Sequence, residues 1–265
     1  KIWLFKEDEL TEKEINRIAP KNQVNVFGFA CNQSPDLMPL PIWLAHRVAR
    51  QLSDVRKQRI LPYLMPEGRV QVGVVYRRRK PYRIYSITIE ADQRDPAKPS
   101  QKTVQRDIRE TVVEETFAGT DLKPDRKTRI IVNPEGPYQG GPSHHSGLTG
   151  RKSAIDTYGE FSRHSGKALS GKDPLRIDRV GAYAARHAAK NVVAAGLAEE
   201  CEVMVSYSLG IVHPVSLQVH TFGTGRLPDD QITDLVRENF EFRLAGILKA
   251  FNLRRLPAQE PTGFY

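Results

Sequence analysis

The chain is 265 residues long, 39% hydrophobic and 27% charged, with 40 lysines and arginines against 31 acids for a formal net charge of +9. That mix can bury a core, which excludes a wholly disordered chain, and its surplus of cations favours acidic partners such as phosphates or nucleic acid. No apolar run approaches the ~20 residues that a membrane-spanning helix needs, and the opening Lys1-Ile2-Trp3-Leu4-Phe5-Lys6-Glu7-Asp8 turns acidic too soon for a signal peptide. Cys31 and Cys201 lie far apart with no CxxC spacing. This argues against a zinc site or a disulfide framework and for a reducing, cytoplasmic setting.

In chain order, residues 1–5 read as a short strand, and Thr11-Glu12-Lys13-Glu14 has capping-box spacing for a helix reaching to about Ala19. Val24–Ala30 reads as a buried strand. Pro41–Val55 reads as a helix, with Ile42, Leu44, Ala45, Val48, Ala49 and Leu52 on one stripe. Arg69–Tyr76 and Tyr82–Ala91 are strands around a charged hairpin tip, Arg77-Arg78-Arg79-Lys80-Pro81. In the second strand Tyr85, Ile87, Ile89 and Ala91 are predicted to share a face opposite Ser86, Thr88 and Glu90. A helix follows, carrying Val104, Ile108, Val112 and Phe117, then a strand over Arg129–Val132. Residues 133–150 hold eight glycines and prolines in 18 positions, too many for regular structure, and 159–174 is a second loop. Asp178 is predicted to N-cap a helix ending at Gly196. Strands over Glu202–Leu209 and Val215–Phe222 precede a helix opened by Pro228-Asp229-Asp230. Strands followed by a helix thus occur twice, at 69–117 and 202–241, the pattern of an α+β fold.

Two loops carry the chemistry. Ser146-Gly147-Leu148-Thr149-Gly150-Arg151-Lys152 sets glycines, whose backbone N–H groups can approach an anion, beside two cations. Ser170-Gly171-Lys172-Asp173, followed by Arg176 and Asp178, repeats the idea. Neither is a P-loop, and each by itself also fits a solvated loop with a helix cap. The Arg77–Lys80 tip reads most simply as a solvated turn, His144-His145 as an exposed pair, and His46, His187 and His213 as packing or surface residues.

Taken together, Gly147–Lys152, Asp156-Thr157-Tyr158-Gly159, Ser170–Pro174, Asp178-Arg179, Ala182–Arg186, Lys190–Ala198, Val205–Gly210 and Thr221–Gly225 resemble the methionine adenosyltransferase (S-adenosylmethionine synthetase) family. Upstream, Phe27–Ala30, Leu37-Met38-Pro39, Ala45-His46-Arg47, Leu61–Leu64 and Gln71-Val72 extend the resemblance, which runs from about Asn22 to Leu256. It implies βαββαβ units, with one of the family's three domains largely missing. The expected segments are 1–23, a first unit at 24–132, a phosphate-loop remnant at 133–178 and a last unit at 179–265. It also implies a flat sheet interface between subunits.

Family members join ATP and methionine with Mg²⁺ and K⁺. By resemblance Arg151, Lys152 and Lys172 hold phosphates, Arg176 stands where the family has a lysine near the substrates, Asp178 matches a magnesium carboxylate, and Tyr138 falls near the adenine-stacking aromatic. The departures are as specific. The family's G-A-G-D-Q-G appears as Ala19–Val24, with Asn22 for the substrate-contacting aspartate ahead of Gln23. Lys167 replaces a glycine, His145 an aspartate, and Glu67 and Arg69 an aspartate and a lysine. The family's G-H-P-D-K motif does not occur in the sequence. The expectation is therefore a degenerate partner subunit that pairs with itself or with a full-length synthetase. The alternatives are an active synthetase whose remaining segment lies outside this sequence, and a nucleotide- or nucleic-acid-binding module on the same fold.

Overall fold

The computed structural model describes residues 9–141, 144, 153–166, 168–169 and 171–253. The predicted strand at 1–5 and the loop residues Ser146–Lys152 lie outside the described residues. The chain is α+β and divides into two compact units: an inserted unit, Leu40–Leu148, and a flanking unit made of Lys1–Pro39 with Thr149–Tyr265.

The inserted unit opens with helix α2 (Leu40–Lys57), the chain's second after α1 (Glu12–Ile15). A long hairpin follows, β2 (Leu64–Arg77) and β3 (Lys80–Gln93), then α3 (Gln101–Ile108), a π-helical turn (Arg109–Glu114), α4 (Glu115–Phe117) and β4 (Arg129–Val132). The sheet order is β2-β3-β4, with β2 and β3 antiparallel and β3 and β4 parallel. The helical stripe of α2 (Leu44, Val48, Leu52, Val55) is buried with Ile84, Ile87 and Ile89 of β3 and with Val104, Ile108, Val112 and Phe117. Each such side chain contributes roughly 1.5–3 kcal/mol by leaving water.

One predicted face is corrected. Tyr85 was expected beside Ile87 on the core side, yet Ile84 is fully buried and Tyr85 is 48% exposed. The register shifts between Gly73 and Val74, so that Ser86 faces Gly73 while Ile84 faces Val74. That bulge leaves Tyr85 as the extra residue and reverses the alternation beyond it. Past β4, Asn133 sits at φ 45° and completes the ladder with its side chain, accepting from the Ala91 N–H at 2.8 Å and donating to the Ala91 carbonyl at 3.0 Å.

The flanking unit holds β1 (Val24–Cys31), α5 (Ile177–Ala194), β5 (Glu200–Tyr207), β6 (Ser216–His220), α6 (Asp229–Asn239) and α7 (Leu244–Phe251). Its sheet is antiparallel in the order β1-β5-β6. Sequence order places β1 with the segment that follows it, whereas its ladder partner is β5, from Val24 opposite Tyr207 to Cys31 opposite Glu200. Helix α5 packs on β1 through small residues. A Cβ added to Gly28 would lie 2.0 Å from the backbone carbon of Ala185. Buried Arg186 donates to the carbonyls of Phe29 (2.6 Å), Asp36 (2.8 Å) and Leu37 (3.0 Å), fixing the turn after β1. The buried Tyr158 hydroxyl accepts the Phe29 N–H at 3.0 Å. Among the described residues no helix is long and apolar enough to cross a membrane, and both cysteines are free and buried.

Candidate active site

Each unit carries one cluster of the residues singled out in the sequence. In the flanking unit the turn into α5 builds the first. Gly171, at φ 74°, takes a backbone conformation that favours glycine and delivers Lys172. Asp173 closes the next turn, its carboxylate accepting the Leu175 N–H at 2.7 Å and its carbonyl the Arg176 N–H at 3.0 Å. The N-cap of α5 is Arg176, with extended backbone and no side-chain cap, and not Asp178 as the sequence suggested. Asp178 instead lies inside the first turn, where a carboxylate faces the positive end of the helix dipole.

Asp178 is buried, with its side chain only 3% exposed, and Lys172 Nζ binds its Oδ2 directly. Arg176 Nε stands 4.0 Å from the other oxygen, Oδ1, which is buried and makes no hydrogen bond. Asn22 satisfies both neighbours when its amide oxygen accepts from Arg176 Nη2 at 3.1 Å and its nitrogen donates to the Lys21 carbonyl at 2.8 Å. Arg179 braces the turn from behind, donating to the Lys172 carbonyl and, at 3.0 Å, to the Tyr183 hydroxyl. The structure thus brings Asn22, Lys172, Arg176 and Asp178 together across 156 positions of sequence. Gln23, the next residue after Asn22, is exposed just before β1, while Asn22 is half-buried.

The second cluster sits on the inserted unit's sheet. Arg69 is the ladder partner of Glu90, and their side chains pair at 3.4 Å. The Arg69 guanidinium lies 5.3 Å from the centre of the Tyr138 ring. Tyr138 is held by a bridge to Asp92 and by the Gln93 N–H, which its carbonyl accepts at 3.2 Å. Glu67 packs so closely on Gly140 that a Cβ there would meet its Cγ at 2.3 Å and the Tyr138 hydroxyl at 3.0 Å. Burial pushes the Tyr138 phenol up, opposed by Arg69 and aided by Glu67, Glu90 and Asp92. Glu67, Arg69 and Tyr138 are therefore neighbours, joined by Glu90 and Asp92, which the sequence reading did not single out as site residues. Glu90 was placed on the polar face of its strand, and only the β2–β3 register reveals it as the partner of Arg69. His145, Arg151, Lys152 and Lys167 lie outside the described residues.

The first cluster can hold an anion and a cation at once: two cationic side chains beside a buried carboxylate with a free oxygen. The second presents a guanidinium and a phenol ring, 5.3 Å apart, beside which a flat group can stack. Among the described residues no three His, Cys, Asp or Glu side chains stand together as a metal cage. Asp178 Oδ1 nevertheless fits one ligand of Mg²⁺, an ion that takes one or two carboxylates and completes its shell with water and substrate phosphates.

Comparison with known proteins settles the lineage. Residues 17–138 match the model of the S-adenosylmethionine synthetase central domain, and residues 139–264 match that of the C-terminal domain. The chain belongs to the S-adenosylmethionine synthetase family. Relatives named S-adenosylmethionine synthase include that of Gloeothece citriformis (strain PCC 7424), 48% identical over 97% of this chain and 63% of that protein. Those of Trichormus variabilis (49%; 96% of this chain, 62% of that protein) and Microcystis aeruginosa (49%; 97% and 63%) are similar. The chain therefore spans a little under two thirds of the length of these relatives. The family's central-domain match includes β1, although the strand's ladder ties it to the C-terminal part.

Proposed function

We propose that this chain is the central and C-terminal part of a methionine adenosyltransferase and that its flanking unit carries the triphosphate-binding half of the reaction. The observation that carries this reading is the buried Lys172–Asp178 pair with Arg176 beside it and one carboxylate oxygen left open. In the reaction the methionine sulfur attacks the ribose 5′ carbon of ATP, and the C5′–O bond breaks as triphosphate leaves. The leaving group gathers negative charge, and preorganised cations at that position stabilise the transition state more than the ground state. Lys172 and Arg176 supply that charge, Arg151 and Lys152 extend it along the phosphates, and Gly171 and Arg179 hold Lys172 in place. Mg²⁺, when bound, neutralises phosphate oxygens, with Asp178 as its protein ligand. Roles for Tyr138 and Arg69 toward adenine, and for Glu67 and Asn22 toward the amino acid, rest on the family resemblance alone. K⁺ is carried over from the family alone, as are self-association through the sheets and a cytoplasmic setting, which suits two free buried cysteines.

The test is S-adenosylmethionine formation by the full natural protein from ATP and methionine with Mg²⁺ and K⁺. Turnover that falls about 10²–10³-fold in kcat on Lys172→Met supports the reading. No turnover by the wild-type protein overturns it. That result would favour the second reading, a degenerate subunit that needs a complete synthetase as its partner. One observation speaks for that alternative: Asn22, where the family has an aspartate, is engaged by Arg176 and cannot balance an ammonium charge as a carboxylate does. Restoration of activity on mixing with a complete synthetase subunit would distinguish the two.

A further inference from the structure

The chain's positive charge is not spread evenly. Residues 77–85 carry five cations and no acid, and residues 121–129 carry four cations and two acids, so 18 positions hold +7 of the chain's net +9. The fold brings these two segments to the same end of the inserted unit's sheet. Arg77 and Lys80 face each other at the β2–β3 tip, and the 121–128 loop is pinned alongside. Arg83 donates twice to Asp125, at 2.9 and 3.1 Å, and the Thr128 hydroxyl donates to the Ile84 carbonyl at 2.8 Å. Arg129 then enters β4 opposite Ser86.

The pairing uses Arg83 to neutralise Asp125. Arg77, Arg78, Arg79, Lys80, Arg126 and Lys127 are exposed on the same unit. Aromatic rings stand among these cations. Tyr82 is 46% exposed with the Arg77 guanidinium 3.6 Å from its ring centre, and Tyr85, turned outward by the bulge, is 48% exposed. Behind the loop lies a groove of about 650 Å³ whose walls include apolar Val113, Phe117 and Ile130, the cations Arg109, Lys123 and Arg126, and the acids Glu114 and Asp125.

We infer that this end of the sheet is a binding surface for single-stranded nucleic acid, separate from the chemistry assigned to Lys172 and Asp178. Bare cations would serve any polyanion. Exposed tyrosines interleaved with arginines fit a chain that alternates phosphates with flat bases, because phosphates pair with the cations while unstacked bases find ring faces. A duplex hides those bases, and an acidic peptide has none. The surface lies within one unit and needs no other part of the chain.

The experiment is fluorescence anisotropy of a labelled 12-nucleotide single-stranded RNA with the full protein, run against a duplex of the same length, inorganic polyphosphate and poly-glutamate. The single strand should bind best. Its log Kd should change with log salt with a slope of about 3 if four phosphates are engaged. The exposed triple variant Arg77→Ser/Arg78→Ser/Arg79→Ser should weaken binding at least 10-fold and flatten that slope. Tyr82→Ala/Tyr85→Ala should weaken the single strand about 10-fold and leave polyphosphate unchanged. No binding at 50 mM salt overturns the inference. So does equal binding of polyphosphate with no effect of the tyrosine variants, which would make the surface a general polyanion patch, and so does preference for poly-glutamate. Thermal midpoints of the variants, all changed at exposed positions, should match the wild type.

Discussion

The two units share a plan, a long helix laid on a three-stranded sheet, but they fill the space between helix and sheet differently. In the inserted unit α2 packs on β2, and branched Leu44, Val48 and Leu52 share one buried core with Ile84, Ile87 and Ile89 of β3. In the flanking unit α5 carries buried Ala182, Ala185, Ala188 and Ala189, and at Gly28 its backbone comes to the strand itself. Side-chain cores give a little when a methyl is added, because rotamers can shift. Backbone-to-backbone contact cannot. The flanking unit, which carries Lys172 and Asp178, is thus the more exacting of the two, and a rigid seat suits residues whose chemistry depends on placement.

A matched pair of substitutions tests this difference most sharply. Gly28→Ala puts its methyl 2.0 Å from the Ala185 backbone and should cost more than about 4 kcal/mol, enough to abolish soluble folded protein. Gly68→Ala, in the inserted unit, meets the end of the Leu52 side chain at 2.9 Å and the Glu90 carbonyl at 3.4 Å, and should cost about 1 kcal/mol. Urea unfolding midpoints of the two variants decide the matter, and equal losses would show that the contrast between the cores is not energetic.

Next in size is the buried ion pair. Lys172→Met strands the Asp178 carboxylate, which is 3% exposed, and should destabilise by about 3–5 kcal/mol. The double change Lys172→Met/Asp178→Leu removes both charges and should recover most of that stability while activity stays lost. A double variant that is no more stable than the single would show that the pair's burial is not what matters. In the inserted unit, Ile87→Val should cost only about 0.5–1.5 kcal/mol by the same urea assay, the ordinary cost of one buried methylene.

The sequence exposed local periodicity and hid long-range pairing. Helix α2 over Leu40–Lys57 and the hairpin strands were legible because their apolar residues repeat at helical or alternating spacing. The strand partner of β1 was not, since its ladder spans more than 160 positions of chain and nothing in Val24–Cys31 names β5. The bulge at Tyr85 and the π-helical turn at Arg109–Glu114 leave no compositional mark in those segments, and each depends on what packs behind it. The candidate site divides the same way. Lys172, Arg176 and Asp178 were visible as a loop with charges, and the family resemblance gave them roles. Glu90 beside Arg69 requires strand register, which no local pattern in either strand supplies.

The smallest expected effect contrasts two acids whose titration is depressed in the folded chain. Asp125, on the inserted unit, is held well below the usual carboxylate range first by the hydrogen bonds from Arg83, but it is open to solvent, so screening leaves the pair little weight in stability. Glu241, just before α7, is partly buried. Burial alone would raise it, yet hydrogen bonds from the Arg243 guanidinium and from backbone N–H groups outweigh burial and lower it. Arg243 also reaches Glu12 and Asn16, tying α1 to α7. A carboxyl depressed on folding contributes stability that is fully present above its unfolded pKa, about 4.5, and is lost as pH falls through the folded value. Thermal midpoints recorded from pH 6 to pH 3 should therefore fall less steeply for Glu241→Gln than for the wild type below about pH 4.5, whereas Asp125→Asn should barely change the slope. A larger flattening from Asp125→Asn would mean that the exposed pair, and not the half-buried one, carries the acid sensitivity.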